Sequence, residues 1–265
     1  MNHRRVPIAG CHRSLERGFS MIELSVALLI ALFLLTGMFS ILQNTSMASK
    51  NQNLLAQLQD EERVAMTMIT DVIQQAGYFP NAQTVAATTA LPVSTAFLTA
   101  GQAVFGGTNL YGDTVTVRYQ GDSTGSVLDC TGNSIPNGTV EEMMFFVQPG
   151  PNNNGALELY CQVLNESTNS VTQTPLVPNV KSLSVFYGVD ANASGSANTY
   201  LPASGMTPPL PATPYWPAVY SVKIKVTFPN PLAQAGEPGQ TITTVSLSRV
   251  IGIMVRTGVN VLTLY

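Results

Sequence analysis

Charged residues and histidine are scarce in this sequence. Charged residues make up 10% of the 265 residues and hydrophobic residues 45%, which excludes disorder over most of the chain and supplies enough apolar material for a core. Both histidines, His3 and His12, lie within the first 18 residues. A mature chain without this segment has no histidine, which excludes Ser-His-Asp and Cys-His nucleophilic catalysis and histidine-ligated metal sites.

Basic residues are few and unevenly distributed. Residues 1–18 hold four arginines against one glutamate and so carry a formal charge of +3, and the total of −3 leaves −6 for the rest of the chain. Nucleic-acid binding calls for a basic face. The charge balance therefore argues against direct binding to nucleic acid.

One long apolar run is present, at residues 19–42, and Glu23 is its single charge. As a helix this run spans about 36 Å, enough to cross the hydrocarbon core of a bilayer. Arginines precede it, and the next basic residue is Lys50. The positive-inside rule predicts a cytoplasmic N-terminus and a head on the far side of the membrane.

Three interpretations of this segment compete. A cleaved secretory signal has an apolar core of only about 7–15 residues, so this run is too long for one. A plain signal anchor leaves Glu23 unexplained, because a carboxylate in hydrocarbon is costly and usually functional. The third interpretation is a prepilin signal, since the string RGFSMIE at residues 17–23 resembles the type IV prepilin motif.

The prepilin resemblance implies specific processing. A prepilin peptidase would cut between Gly18 and Phe19, and Phe19 would then be N-methylated. Glycine fits the cut because a residue without Cβ lets the peptidase approach the backbone closely. Glu23 becomes the fifth mature residue, where the family has its characteristic glutamate. In a filament the N-terminal amine of a neighbouring pilin would pair with it and hold register; the alternative is a Glu23 solvated at the headgroup level.

The helix signal continues beyond the apolar run. Apolar residues at helical spacing indicate an amphipathic stripe, made of Leu54, Leu58, Ala65, Met68, Ile69, Val72, Ile73 and Ala76. Gly77, with Pro80 just beyond, predicts the end of the helix. Residues 20–76 would then form one helix of about 85 Å.

Acidic residues near this stripe have two interpretations. Glu61 or Glu62 must lie close to it. In the first interpretation they belong to a solvated edge that also holds an Asp60–Arg63 ion pair. In the second they contact another pilin.

The rest of the chain predicts a β-rich head. An Ala/Thr-rich stretch up to residue 108 is interpreted as a loop or linker. Extended segments are predicted at residues 114–119, 143–147, 156–163, 180–189, 219–228 and 241–264. The second and third of these flank the loop PGPNNNG and predict a hairpin. Several strands after one long helix predict an α+β, type IV pilin-like fold, with an antiparallel sheet packed on the second half of the helix.

Cysteine is scarce as well. Cys11 lies in the basic N-terminal segment, which leaves Cys130 and Cys161 in the mature chain. An even count in an exported chain predicts a disulfide. It would close a loop of about 30 residues and contribute on the order of 3–4 kcal/mol. The alternative is two free buried thiols.

Several phrases at the end of the helix and in the head occur in a characteristic order, at residues 71–78, 112–119, 129–132, 159–161, 175–190 and 216–219. In that order they resemble the PilW minor pilins more than pilins in general. The helix lacks the proline that many major pilins carry, and its two mature cysteines lie mid-chain, which weakens an interpretation as the shaft subunit.

The resemblance implies a minor pilin that enters a type IV pilus and helps to initiate its assembly in a tip or priming complex. Its partners would be the prepilin peptidase, other minor pilins, the major pilin, a tip adhesin and the inner membrane, in support of adhesion, twitching motility or DNA uptake. No cofactor is expected. The alternatives are a minor pseudopilin of type II secretion and a membrane-anchored periplasmic enzyme, the latter disfavoured by the missing histidines and the lack of a nucleophile–base pair.

The implied organisation has four parts. They are a cleaved leader (residues 1–18), the transmembrane half of the helix (19–42), its amphipathic half (43–78) and a periplasmic or extracellular head (79–265). The location is the inner membrane, crossed once, and then the extracellular pilus, at its tip.

Three weaker patterns occur in the head. Asp190, Asn192 and Ser194 resemble the first half of a calcium loop, but the twelfth position is Leu201, so a turn is favoured. Three acids could supply an acid/base pair, although nearby glycines favour turns for them too; they are Asp113, Asp122 and Asp129. Tyr215 and Trp216 are expected to be exposed, as a partner contact or an edge-strand cap.

Overall fold

The computed structural model describes residues 18–151, 155–192, 194–207, 214–236 and 239–257. Of the predicted leader only Gly18 is among them, and the end of the predicted extended segment 241–264 also lies outside them. The chain divides into two compact units, Met1–Gln52 and Asn53–Tyr265. The first contains the apolar part of the N-terminal helix, and the second contains the rest of that helix and the head.

One continuous helix, α1, covers Met21–Gln74. The predicted helix, residues 20–76, agrees with it within two residues at each end. Gly77 has a φ of 81°, a conformation that a residue without Cβ adopts freely at a helix end. Its N–H donates to the carbonyl oxygen of Arg118 at 2.9 Å, which ties the end of α1 to the sheet.

The second half of α1 buries the predicted apolar stripe. The buried residues within the helix are Leu58, Ala65, Met66, Ile69, Val72 and Ile73. Their spacing follows the helical period, and they share one core with sheet residues such as Val117, Phe145 and Ile224. Leu54 and Met68, at the margin of the predicted stripe, are half-buried.

Within the described residues the head forms one sheet of nine strands. The strands are β1 (Val104–Asn109), β2 (Gly112–Gln120), β3 (Val140–Pro149), β4 (Leu157–Asn165), β5 (Ser170–Val177), β6 (Ser182–Val189), β7 (Thr199–Leu201), β8 (Val219–Pro229) and β9 (Thr244–Gly252). The main order is β5-β4-β3-β2-β6-β8-β9, with β1 paired to β2 and β7 to β6. The predicted α+β fold, a long N-terminal helix followed by a sheet, is confirmed. The pairing of β2 with β6, at Gly112 and Leu183, is parallel, so the otherwise antiparallel sheet is mixed.

The predicted hairpin is formed by β3 and β4. Their antiparallel pairing runs without a break from Glu141 opposite Asn165 to Pro149 opposite Leu157. Every second residue of a strand points to the same face of the sheet. Phe145 of β3 and Cys161 of β4, which lie opposite each other, are fully buried in the core. Residues 152–154 of the connecting loop lie outside the described residues.

Some short elements differ from the sequence-based expectation. The stretch predicted as a loop contains a helical turn, α2 (Ala87–Ala90), and strand β1. Strand β5 was not predicted, because it is mostly exposed and lacks an apolar alternation. The three-residue strand β7 was not predicted either. A turn after β8, α3 (Pro231–Gln234), is capped by Asn230, whose side chain accepts the Leu232 N–H at 3.1 Å. The prediction of an extended segment over residues 241–264 is wrong in part, because β9 ends at Gly252 and Met254–Thr257 form a helical turn, α4.

Candidate assembly interface and head sites

The bond predicted to be cut lies just before α1. Gly18, Phe19 and Ser20 are exposed and precede the first helical residue. Ser20 caps the helix: its hydroxyl accepts the Ile22 N–H at 3.4 Å and its carbonyl oxygen accepts the Leu24 N–H at 3.1 Å. The Gly18–Phe19 bond is therefore in accessible, non-helical backbone, and cleavage there stays a prediction.

The first part of α1 is exposed and strongly apolar. Every residue from 18 to 50 is exposed, and one stretch of the helix reaches a mean hydropathy of 2.5. Soluble monomers rarely expose so large a contiguous apolar surface. By length and composition, α1 is the one helix among the described residues that could cross a membrane.

Glu23 is the single charged residue of the apolar run at 19–42. Three side-chain hydroxyls of this part of α1 donate to the carbonyl oxygen one turn back, at 2.9 Å (Ser25), 2.6 Å (Thr36) and 2.8 Å (Thr45). Glu23 makes no hydrogen bond or ion pair with any described residue. Its position in the first turn is favourable for the helix dipole, but a lipid environment would leave the carboxylate without a counter-charge.

Two of the acidic residues beside the buried stripe, Asp60 and Glu61, have local partners. Asp60 and Arg63 form an ion pair at 3.9 Å, with side chains 76% and 80% exposed. Glu61 accepts a hydrogen bond from Gln57 at 2.9 Å. Glu62 is half-buried, and this burial raises its pKa. For Asp60, Arg63 and Glu61 these contacts favour the solvated-edge interpretation.

The predicted disulfide between Cys130 and Cys161 is present, with a Cα–Cα distance of 6.4 Å. Cys161 lies in the middle of β4, and Cys130 lies in the loop between β2 and β3. Both residues are buried within the main core. The disulfide therefore fixes the loop between β2 and β3 onto β4, which lies two strands away from β2 in the sheet.

The loop that resembles half a calcium site closes on itself. The Asp190 carboxylate accepts the N–H groups of Ser194 and Gly195 at 2.8 and 2.6 Å, and the side-chain amide of Asn198 at 3.3 Å. That amide also donates to Asn192. Burial by itself would raise the pKa of Asp190, but these hydrogen bonds outweigh it and lower the pKa. The arrangement is that of a turn, and the described residues hold no group of three His, Cys, Asp or Glu placed to bind a metal.

The three acids considered for acid/base chemistry serve separate structural roles. Asp113 accepts the Val185 N–H at 2.8 Å and so joins β2 to β6. Asp122 closes one turn, and the hydrogen bond from Thr124 is the main cause of its lowered pKa. Asp129 closes the next turn by accepting the N–H of Thr131 and of Asn133 at 2.7 and 2.9 Å. These contacts favour the turn interpretation over a catalytic pair.

The expectation that Trp216 is exposed is wrong. Its side chain is only 7% exposed. It packs against Phe105 and Tyr187, with ring centroids 5.0 and 4.9 Å away. Tyr215 is half-buried beside it. The local sequence, with prolines on both sides, could not show that β1 and β6 come together to cover the indole.

One polar cluster in the head escaped the sequence-based analysis. Arg118 on β2 is completely buried and pairs with Glu166 at 3.2 Å. Glu142 on β3, directly opposite Arg118 in the sheet, is buried as well. An arginine in an alternating strand normally marks a solvent-facing position, so no sequence signal indicated this burial.

Comparisons with known proteins give a family match and a similar structure. Residues 144–247 match the model of PilW, the type IV pilus-assembly protein W, which confirms the resemblance to PilW over the range from β3 to β9. A search of curated proteins finds no match. Among solved structures, the type IV-like pilin TTHA1219 from Thermus thermophilus is similar to the chain, with 13% sequence identity and a TM-score of 0.40 over 74% of this chain and 96% of that chain.

Proposed function

We propose that this chain is a minor pilin that enters the type IV pilus through the apolar part of α1 and helps to initiate pilus assembly. The match of residues 144–247 to the PilW family supports a role in the pilus. An N-terminal helix of membrane length and a disulfide-bonded head support it too. In this role its partners are other minor pilins and the major pilin, in a tip or priming complex that carries an adhesin and supports adhesion, twitching motility or DNA uptake.

Glu23 is the observation that carries the proposal. It is the single charged residue of the apolar run at 19–42, and it has no partner among the described residues. An unpaired carboxylate in hydrocarbon costs several kcal/mol or is neutralised by protonation. The N-terminal amine of Phe19 from a neighbouring subunit would supply the counter-charge. Because that pair forms only when two helices are in register, it would select the assembled arrangement.

This pairing requires a free amine on Phe19. We therefore include in the proposal that prepilin peptidase cuts between Gly18 and Phe19 and that Phe19 is N-methylated. Before assembly the chain would cross the inner membrane once, with its N-terminus in the cytoplasm and its head in the periplasm. In this scheme residues 1–18 are the leader, 19–42 the transmembrane half-helix, 43–78 the amphipathic half-helix and 79–265 the head.

A minor pseudopilin of type II secretion is the alternative, and it would use the same apolar helix and the same glutamate. The family that matches the head is one of pilus assembly, which favours the pilus. The two roles differ in what a deletion strain loses. Loss of surface pili with normal secretion of exoproteins supports the pilus role, and the reverse result supports the pseudopilin.

Replacing Glu23 tests the proposed role in piliated cells. We expect Glu23→Ala to reach the inner membrane at wild-type levels and to reduce surface pili strongly, because the apolar run at 19–42 loses its single charged residue and with it the proposed pair with the amine of a neighbouring Phe19. The matched control is Asp60→Ala, which removes an acid from the same helix outside the apolar run and should leave piliation unchanged. Wild-type numbers of pili in Glu23→Ala cells would contradict the proposal.

A further inference from the structure

The main sheet ends in two edge strands, β5 and β9, which differ in how they could bind a further strand. β5 contains Pro175, which lacks a backbone N–H, and its pairing with β4 shifts register between Leu159 and Tyr160. Prolines and bulges protect an edge against strand addition. β9 contains no proline and pairs with β8 in one unbroken register. Of the two, β9 is therefore the long and regular edge.

Every second residue of β9 directs its backbone groups away from β8. Just beyond the two ends of the pairing, the Asn230 N–H donates to the carbonyl oxygen of Thr243 at 2.8 Å, and the Ile253 N–H donates to that of Tyr220 at 3.0 Å. Residues that bond to the partner strand alternate with residues that do not. The odd-numbered residues therefore bond to β8, and the even-numbered residues from 244 to 252 present their N–H and carbonyl groups at the edge. Within the described residues no strand pairs with this side of β9.

The inner face of β9 is incompletely covered near the beginning of the strand. Ile251, near its end, is buried. Val245 and Leu247 pack against the same core but are only half-buried. The residues opposite them on β8, Phe228 and Val226, are fully buried. Apolar surface therefore stays in water along the first half of the edge, where a further strand would cover it.

Glu62 of α1 lies beside this half of β9. Two turns later, on the same side of the helix, the Thr70 hydroxyl accepts a hydrogen bond from Arg249 of β9 at 3.2 Å. One turn before Glu62, Leu58 lines a cavity with Phe228, the residue of β8 opposite the beginning of β9. Glu62 falls within the buried stripe of α1 but is only half-buried. A strand added to β9 would direct every second side chain toward this part of the helix.

Glu62 has no counter-charge within the described part of the chain. It forms no hydrogen bond or ion pair there. Arg63 belongs to the solvent-exposed ion pair described above, and Arg249 binds Thr70, about 12 Å further along the helix. A strand that brings a lysine or arginine to this position would compensate a half-buried carboxylate.

This chain does not supply that cation. Residues 258–265 contain no basic residue, and neither does β5. β9 of a second copy carries Arg249, and it could pair antiparallel with the first β9. Such a pairing relates the two molecules by a half-turn about an axis perpendicular to the sheet, so the two α1 helices would run in opposite directions. Two chains anchored in one membrane cannot adopt this arrangement.

We propose that the edge of β9 binds an extended segment of a different pilin subunit, which pairs as an added strand and places a lysine or arginine beside Glu62. The inference rests on the proposed function, since both chains belong to one assembly. Backbone hydrogen bonds along the edge supply affinity that does not depend on the sequence of the partner, and the cation beside Glu62 selects the partner.

Photo-cross-linking in piliated cells tests the edge. Val250 of β9 and Val171 of β5, whose side chains are both 53% exposed, are each replaced by p-benzoylphenylalanine. We expect irradiation to link position 250 to an extended segment of another pilin that contains lysine or arginine, identified by mass spectrometry of the linked peptides. Position 171 should give no such product.

Three results would overturn the proposal. They are no product from position 250, a product with residues 258–265 of the same chain, and a product with a second copy. Because Glu23→Ala tests the pilus function separately, a loss of pili in that variant together with any of these results would contradict the β9 interaction alone. A product with a secretion pseudopilin would support the β9 interaction and contradict the pilus function.

Paired variants of the chain with the cross-linker at position 250 test the two contacts. Ser248→Pro removes an outward N–H and should lower the cross-link yield about fivefold or more, whereas Ser248→Thr keeps the N–H and the yield. Glu62→Gln should lower the yield about three- to tenfold, because the ionic contact is lost. Glu61→Gln, which changes a neighbour bonded to Gln57, should not. Equal yields for Glu62→Gln and Glu61→Gln would overturn the proposal, even if Ser248→Pro fails to fold.

Discussion

The phenol ring of Tyr187 lies directly over Gly106. Tyr187 is fully buried on β6 and donates a hydrogen bond from its hydroxyl to the carbonyl oxygen of Thr114 at 3.1 Å. A Cβ at position 106 would overlap the phenol oxygen. Glycine is therefore required in β1 for space rather than for an unusual backbone angle, and this packing helps to cover Trp216.

We expect Gly106→Ala to destabilise the head by about 1–3 kcal/mol, because the methyl group must displace Tyr187 or bend β1. Urea unfolding of the detergent-solubilised chain, followed by the fluorescence of its only tryptophan, Trp216, measures the change. Gly107→Ala is the control, since its nearest contact would be the Thr114 hydroxyl at 3.4 Å. Equal losses for the two variants would show that the contact with Tyr187 is not the cause.

The disulfide supports the β2–β3 loop. The separation of 31 residues between Cys130 and Cys161 predicts that replacing both by serine lowers the free energy of unfolding by about 2–4 kcal/mol. Dithiothreitol should reproduce the loss in the wild type and have no effect on the double variant. Wild-type stability after complete reduction would contradict the prediction.

The mass of the intact mature protein reports where the leader is cut and whether Phe19 is methylated. We expect the mature chain to begin at Phe19 with one added methyl group. Gly18→Val should retain residues 1–18, because a branched side chain blocks the close approach to the backbone that glycine permits. Gly10→Val, a change at the other glycine of the N-terminal segment, should be processed normally. A mature start at any other residue would contradict the predicted motif.

The Asp190 loop should not bind calcium. Both carboxylate oxygens already accept backbone N–H groups, so binding a cation would require these donors to turn away. Calorimetry with millimolar calcium should give no binding heat for the wild type or for Asp190→Asn. Heat in the wild type that Asp190→Asn abolishes would establish a calcium site.

Features that depend on neighbours in the chain were predictable from the sequence. The apolar run and the stripe beyond it predict α1. Because a helix repeats every 3.6 residues, the spacing of the apolar residues also indicates which face of the helix is buried. Gly77 marks the end of that helix, and the loop PGPNNNG marks the hairpin of β3 and β4. The candidate assembly residues Gly18, Phe19 and Glu23 come from one short string, and their roles stay predictions.

Features that depend on distant parts of the chain were decided only by the tertiary structure. Arg118 is buried because carbonyl oxygens of the segment 91–102 and a carboxyl 48 residues away surround it. Asp113 joins β2 to β6 across 72 residues, and Trp216 is covered by rings from β1 and β6. A local sequence pattern places such residues in solvent or in turns, because the groups that bind or cover them come from distant parts of the chain and contact them only in the folded sheet.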